Sequence, residues 1–266
     1  MGAARCRDAV GLVLTMEILK HTGHRPWALP RGPWIMKQEW HDLLFAHWAV
    51  PVEVLRPLIP TALEIDTIGG RAWLGVVPFR MAGVRMRGTP AIPGTSRFPE
   101  LNVRTYVVRD RKPGVWFFSL DAANAVAVWG ARTFFHLPYF LAAMSCAEDA
   151  GWILYESHRK RRRRSRAALR ARYRAIGDVF HAQPASVEHF LAERYCLYAA
   201  DEKGRIMRCE IHHPPWPLQL AEAEFQENSM AAAAGIAIAD LRPELPELLH
   251  FSRYQEVVVW TPELLK

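Results

Sequence analysis

The chain has 266 residues and a formal net charge of +7; half of its residues are hydrophobic and 23% are charged. That balance excludes a disordered polypeptide, which has too little apolar surface to offset the entropy of ordering. The length suits one β-rich domain, since barrels and sandwiches of roughly 200 to 250 residues often share a single core.

The positive charge is local. Ten of the 34 lysines and arginines lie between His158 and Arg174, where there is no acid, which leaves 24 basic residues against 27 acidic ones elsewhere. Cys6, Cys146, Cys196 and Cys209 are scattered, with no C-x-x-C pair for zinc or redox work, and fit a reducing cytoplasm. Arg5 and Arg7 before the apolar stretch Ala9 to Leu19 resemble the start of a signal peptide, but Glu17 interrupts the stretch and no clear cleavage site follows. The expected location is the cytoplasm, and no run approaches the ~20 apolar residues of a membrane-spanning helix.

In chain order, residues 1–25 read as an N-terminal extension, helical or flexible, and 26–266 as a single domain. A proline-rich segment from Arg25 to Pro33 denies itself regular hydrogen bonding. Trp40 to Trp48 reads as a strand with both faces partly covered, and Pro51 to Pro60 as a short helix closed by proline. Strands are expected at Ala72 to Phe79, Leu101 to Val108 and Val115 to Leu120, each bounded by Gly or Pro. Alternation in the second of these places Asn102, Arg104 and Tyr106 on one face. Asp121 to Phe135, rich in Ala and free of proline, is the best helix. Further strands are expected at Trp152 to Ser157, Ala167 to Tyr173, His189 to Tyr198, Ile206 to His212 and Val257 to Trp260. The fold class is therefore α+β and β-rich, a strongly bent sheet or barrel with a few short helices, because a flat sheet would leave open edges.

The basic run Arg159 to Arg164 could bind phosphates by charge. It lacks interleaved aromatic residues for base stacking, and strand-like segments flank it, so a solvated hairpin is the preferred reading over nucleic-acid binding. His212 and His213 are adjacent and on a strand point to opposite faces, so at most one faces a given site; a proline corner with one pocket-facing histidine is the preferred reading, and no metal and no cofactor are expected. No G-x-S-x-G elbow, phosphate loop or dinucleotide fingerprint is present. Glu100 follows Pro99 at the head of an apolar strand, where burial would raise its pKa into the range of a general acid, unless Arg97 or Arg104 pairs with it.

Phe98-Pro99-Glu100-Leu101-Asn102-Val103-Arg104, Trp116 to Asp121 and Ile211-His212-His213-Pro214-Pro215-Trp216 resemble the YqjF-like family, domain of unknown function 2071, over nearly everything from Arg25 to Glu263. The chain is similar in turn to acetoacetate decarboxylase. Pro30 to Pro33 and Leu55 to Asp66 match early segments of that enzyme, and Ala131 to Phe140 resembles its G-R-x-x-x-x-x-P-K-K motif. The resemblance implies a β-rich barrel around a closed cavity. In the enzyme the first lysine of the motif forms an imine with the substrate ketone, and Tyr139 and Phe140 stand in place of the pair. A phenol forms no Schiff base, so that decarboxylation is not expected. The resemblance also implies a cavity glutamate at Glu100; a cavity arginine of the enzyme falls between Gln38 and His41, and a second carboxylate falls near Trp73.

Two functions of a small-molecule cavity follow as expectations, with a homo-oligomer left open. One is an enzyme of lyase or isomerase type acting on a largely apolar or ketonic molecule, with Glu100 transferring a proton, Tyr139 donating to an oxyanion and Arg104 or Arg132 clamping an anion; His41 and Trp73 are further candidate contacts. The other is a binding protein that holds an apolar ligand in the same place.

Overall fold

A computed structural model describes residues 17–92, 94, 96–159, 166–237 and 242–266. The extension before residue 17 and most of the basic run, 160–165, lie outside the described residues.

The strands are β1 (Met36–Val50), β2 (Glu64–Ile65), β3 (Ala72–Met86), β4 (Phe98–Arg109), β5 (Lys112–Ala122), β6 (Tyr139–Asp149), β7 (Trp152–Arg159), β8 (Ala168–Phe180), β9 (Cys196–Ala200), β10 (Ile206–His212), β11 (Leu218–Asn228), β12 (Leu248–Val259) and β13 (Glu263–Leu264). They form one sheet whose pairings close two rings. Nine strands run β5-β6-β7-β8-β11-β12-β1-β3-β4 and back to β5, and seven run β5-β9-β10-β12-β1-β3-β4 and back to β5. Closure removes most of the exposed edge that a strongly twisted open sheet would present.

The shared strands β1, β3 and β4 are buried on both faces. Along β1, Leu44, Ala46 and Trp48 join one hydrophobic cluster with Leu74, Val76, Leu101, Val103, Tyr155, Tyr173 and Phe251. Leu43 and Phe45, one residue out of phase, join a second with Val77, Phe79, Phe98, Leu120, Leu137, Tyr139 and Trp216. Side chains alternate across a strand, so a two-sided strand must be apolar at nearly every position, as the sequence from Leu43 to Val50 is.

The helix Ala125–Phe135 joins β5 to β6, which run parallel with Leu120 opposite Tyr139. A parallel pair needs a crossover of this kind, because a tight turn cannot return the chain to the same end. The expected helix from Asp121 begins four residues late. Asp121 and Ala122 still belong to β5, and Asn124 caps the helix by accepting from the Val126 and Ala127 amides at 3.0 Å. Its C-cap, His136, adopts the left-handed conformation (φ 52°) and turns the chain toward Pro138.

Other expected elements match in place and type, with one exception and four omissions. The segment from His189 to Tyr198 is not a single strand: Val187–Ala192 is helical, capped by the Ser186 hydroxyl on the His189 amide at 3.1 Å, and strand resumes only at Cys196. Strands β2, β6, β11 and β13 were not expected. The hairpin expected around the basic run is present in its arms, since β7 and β8 pair antiparallel up to His158 opposite Ala168.

Candidate functional site

Glu100 lies on β4 between β3 and β5, opposite Phe79 on one side and Ala122 on the other. Tyr139 is the first residue of β6 and pairs with Leu120, two residues from Ala122 on the same face of β5. The two side chains therefore start two strands apart, roughly 10 Å at the usual strand spacing. They meet over the small Ala122 side chain, where the Tyr139 hydroxyl donates to Glu100 Oε2 at 2.9 Å. Neither Arg97 nor Arg104 pairs with Glu100; the phenol takes that place.

Backbone bonds fix both residues. Tyr155, from the opposite face of the sheet, donates to the Glu100 carbonyl at 2.6 Å. The Arg132 Nε donates to the Tyr139 carbonyl at 2.7 Å, and the Leu120 amide donates to the Pro138 carbonyl at 3.0 Å. Glu100 is 4% exposed, and burial raises its pKa to about 8, opposed by the Tyr139 hydrogen bond and assisted by Asp121. At neutral pH the carboxyl is mostly a neutral acid. Burial, and then the neighbouring Glu100, hold the Tyr139 phenol well above its ordinary pKa, so it remains a donor.

Both groups line a cavity of about 700 Å³. Its walls are Met81, Val84 and Phe98 from β3 and β4, Ile35, Met36 and Gln38 from the start of β1 and the segment before it, Val259, Thr261 and Pro262, and one side of the helix Ala125–Phe135 with the adjoining Leu137. Glu100, Tyr139, Gln38 and Thr261 bring its few polar side-chain groups. Val126, Trp129 and Phe134 line it while more than 60% exposed, so the helix forms an apolar rim at an opening to solvent. This size and polarity suit a small, largely apolar molecule.

The remaining site candidates fall elsewhere. Arg132 is exposed and holds the Tyr139 backbone from outside, with its guanidinium over the Phe140 ring. Arg104 and Trp73 are buried but outside the cavity lining, and His41 is half-buried against Tyr254. Gln38, rather than His41, faces the cavity from the stretch of strand onto which the enzyme's cavity arginine falls. His212 and His213 are both buried and held by backbone carbonyls: His212 Nε2 lies 2.8 Å from the Ile18 oxygen and His213 Nε2 3.2 Å from that of Arg194. Neither faces the cavity, and no group of metal-ligating side chains occurs among the described residues.

Arg159, the first residue of the basic run, is 8% exposed. It binds Asp121 at 2.7 Å and lies 4.0 Å from the centre of the Phe140 ring. No helix of the described residues is long and apolar enough to cross a membrane.

Among solved structures, the chain is similar to the enduracididine biosynthesis enzyme MppR complexed with pyruvate, with a TM-score of 0.61, 14% identity and 92% and 95% of the two chains covered. It is similar also to acetoacetate decarboxylase from Legionella pneumophila, with a TM-score of 0.57, 12% identity and 92% and 93% covered. At these identities the likeness establishes an acetoacetate decarboxylase-like fold. A protein of Bacillus subtilis (strain 168), "Uncharacterized protein YqjF", is 47% identical over 233 residues, 88% of this chain and 93% of that one. The family DUF2071, described as an uncharacterized conserved protein, matches residues 37–256. By its sequence, the chain belongs to the DUF2071 family.

Proposed function

We propose that the cavity binds a small, largely apolar molecule bearing a carbonyl group and that Glu100 exchanges a proton with it, in a lyase- or isomerase-type reaction that uses no Schiff base. The observation that supports this best is the buried Glu100–Tyr139 pair in the cavity wall. A carboxylic acid with a pKa near 8 is balanced for proton donation and recovery at neutral pH, the condition under which general acid–base catalysis is most effective.

The direction of the hydrogen bond gives Tyr139 a narrower role than oxyanion donor. Its single hydroxyl proton is directed at Glu100, so once Glu100 has given up its proton Tyr139 stabilises the carboxylate that remains. Gln38, on the cavity wall, supplies the amide that orients a ligand oxygen.

A second reading, a binding protein without turnover, is favoured by the almost wholly apolar wall. One experiment separates the two. Small ketones and aldehydes are screened by thermal shift, since a ligand of the native state raises Tm. Hits are then incubated with the protein in D2O and followed by proton NMR. Glu100-dependent exchange of α-protons, lost at least 100-fold in Glu100→Gln, supports the enzyme. Equal binding by both proteins without exchange supports the binding protein, and absence of any stabilising carbonyl compound removes both.

A further inference from the structure

Arg104 lies four residues along β4 from Glu100 on the same face, roughly 13 Å away at the rise of a strand, and outside the cavity lining. It is 8% exposed and makes no ion pair among the described residues. Its Nη2 bond to the Leu191 carbonyl is long at 3.5 Å, its other polar neighbour is the neutral Tyr106 hydroxyl, and its Nε has no partner. The rings of Phe45 and Tyr106 lie 5.1 and 5.7 Å from the guanidinium. Such contacts are weak beside the cost of burying a charge without a counter-ion. The rings do not close that gap.

The surroundings offer donors, and no acid among the described residues pairs with Arg104. Trp216 Nε1–H is buried without an acceptor, and its indole packs edge-on against the same Phe45 ring that Arg104 covers. Trp73 Nε1–H is likewise unpartnered, in the cluster that contains Tyr106. Burial, and then the Arg104 charge, keep His47 neutral, and His47 Nε2 is 2.7 Å from the Tyr106 hydroxyl. Asn102, two residues back on the same face, has a buried unpartnered Oδ1, and turning the amide over would put its NH2 there. Of the acids on this side of the fold, Asp66 is engaged by Arg194 at 2.5 Å and Glu193 by Tyr195 and the Trp216 amide, while Glu188, on the helix that carries Leu191, acts on His250 and forms no ion pair with Arg104. Gly75 makes room for the His47 ring and the Arg104 stem, since a Cβ there would stand 3.1 Å from His47 Nε2 and 3.2 Å from Arg104 Cγ.

The geometry points to a second, internal site that holds a small oxyanion against Arg104, with a carboxylate as the preferred ligand. A carboxylate matches the planar guanidinium and neutralises it, which a water molecule cannot do. The site shares no residue with the Glu100 cavity and stands independently of the reaction proposed there.

The test uses the full chain in sodium acetate, sodium phosphate and sodium chloride at matched ionic strength and pH 7, read by thermal unfolding and by the indole N–H resonances of 15N-tryptophan-labelled protein. Acetate is expected to raise Tm saturably, by roughly 3 °C at ten times its Kd, and to move the Trp216 indole resonance, identified through Trp216→Phe. Both effects are expected to vanish in Arg104→Met, which should keep nearly the wild-type Tm in chloride. Saturation by phosphate and not acetate would keep the oxyanion site and reassign its ligand. Equal, non-saturating shifts in all three salts with a stationary Trp216 resonance would overturn the site, as would stabilisation by acetate that persists in Arg104→Met. Should that variant fail to fold, the indole titration of the unaltered protein decides.

Discussion

The Tyr139 hydroxyl lowers the pKa of a carboxyl that burial has raised, so the two influences on Glu100 oppose each other and burial is the larger. Removing the phenol hydroxyl takes away only the opposing one. In Tyr139→Phe the Glu100 carboxyl is therefore expected to titrate above its present value of about 8. The change is measurable as a displaced midpoint of the Glu100 carboxyl in 13C NMR, assigned against Glu100→Gln. The same variant loses one buried hydrogen bond, about 1 kcal/mol of stability at pH 7. A midpoint that stayed at or fell below 8 would mean that the phenol does not govern this acid. Both residues were legible in the sequence, Glu100 from its place at the head of an apolar strand and Tyr139 from the motif it interrupts. What the sequence could not show was their contact, because it depends on Ala122 lying between them on a third strand. Arg159 was obscured for a different reason: it opens a run of like charges, and only the fold shows that this first member turns inward to Asp121.

At the scale of elements, the helix Ala125–Phe135 contributes most of one cavity wall while burying few residues of its own. Val128 is its only fully buried residue, and Val126, Trp129 and Phe134 are exposed at the rim. With so little packing to hold it, its N-cap matters more than usual. Asn124→Ala removes acceptors for two amides and is expected to cost about 1 kcal/mol in urea denaturation. It should also speed hydrogen exchange in residues 126–130 ahead of the strands, since a poorly packed helix opens locally. Uniform exchange across helix and sheet would show that the helix is held by the rest of the fold instead. Elements were legible where pattern and propensity agreed. β11 was not expected because Leu218-Gln219-Leu220-Ala221-Glu222-Ala223-Glu224 is rich in good helix formers. It is a strand because Ala221, Ala223 and Phe225, at alternate positions, pack against the core, while Glu222 and Glu224 on the outer face pair with Arg174 and Arg172 of β8 at 2.7 Å. At His189 to Tyr198 the β-like composition outweighed a local signal, the Ser186 cap with Glu188 in the first turn.

Across the whole molecule, two sets of buried groups drive stability in opposite directions with pH. His47, His212, His213 and His250 have pKa values lowered chiefly by burial, His212 to about 4. The unfolded chain takes up their protons below about pH 6.5 and the native chain does not. Their contribution is therefore present above pH 6.5 and is lost as pH falls. Glu100 and Asp121 have values raised chiefly by burial, to about 8 and about 6. For them the native state holds the proton longer, so their contribution is complete at low pH and declines as pH rises through that window. Up to about pH 7 the four histidines, still partly protonated in the unfolded chain, outweigh the two acids, and only above it does Glu100 set the slope. Stability is expected to peak near pH 7 and then to decline through pH 8, approaching a limiting slope of about 1.4 kcal/mol per pH unit for one proton. In Glu100→Gln, whose amide still accepts from Tyr139, that alkaline decline should flatten while the acid limb set by the histidines keeps its slope. Urea denaturation at half-unit steps from pH 5 to 8 measures both limbs in one series. A decline of equal steepness in the two proteins would place the alkaline loss in some other group and remove the argument that Glu100 is a neutral acid at the cavity wall.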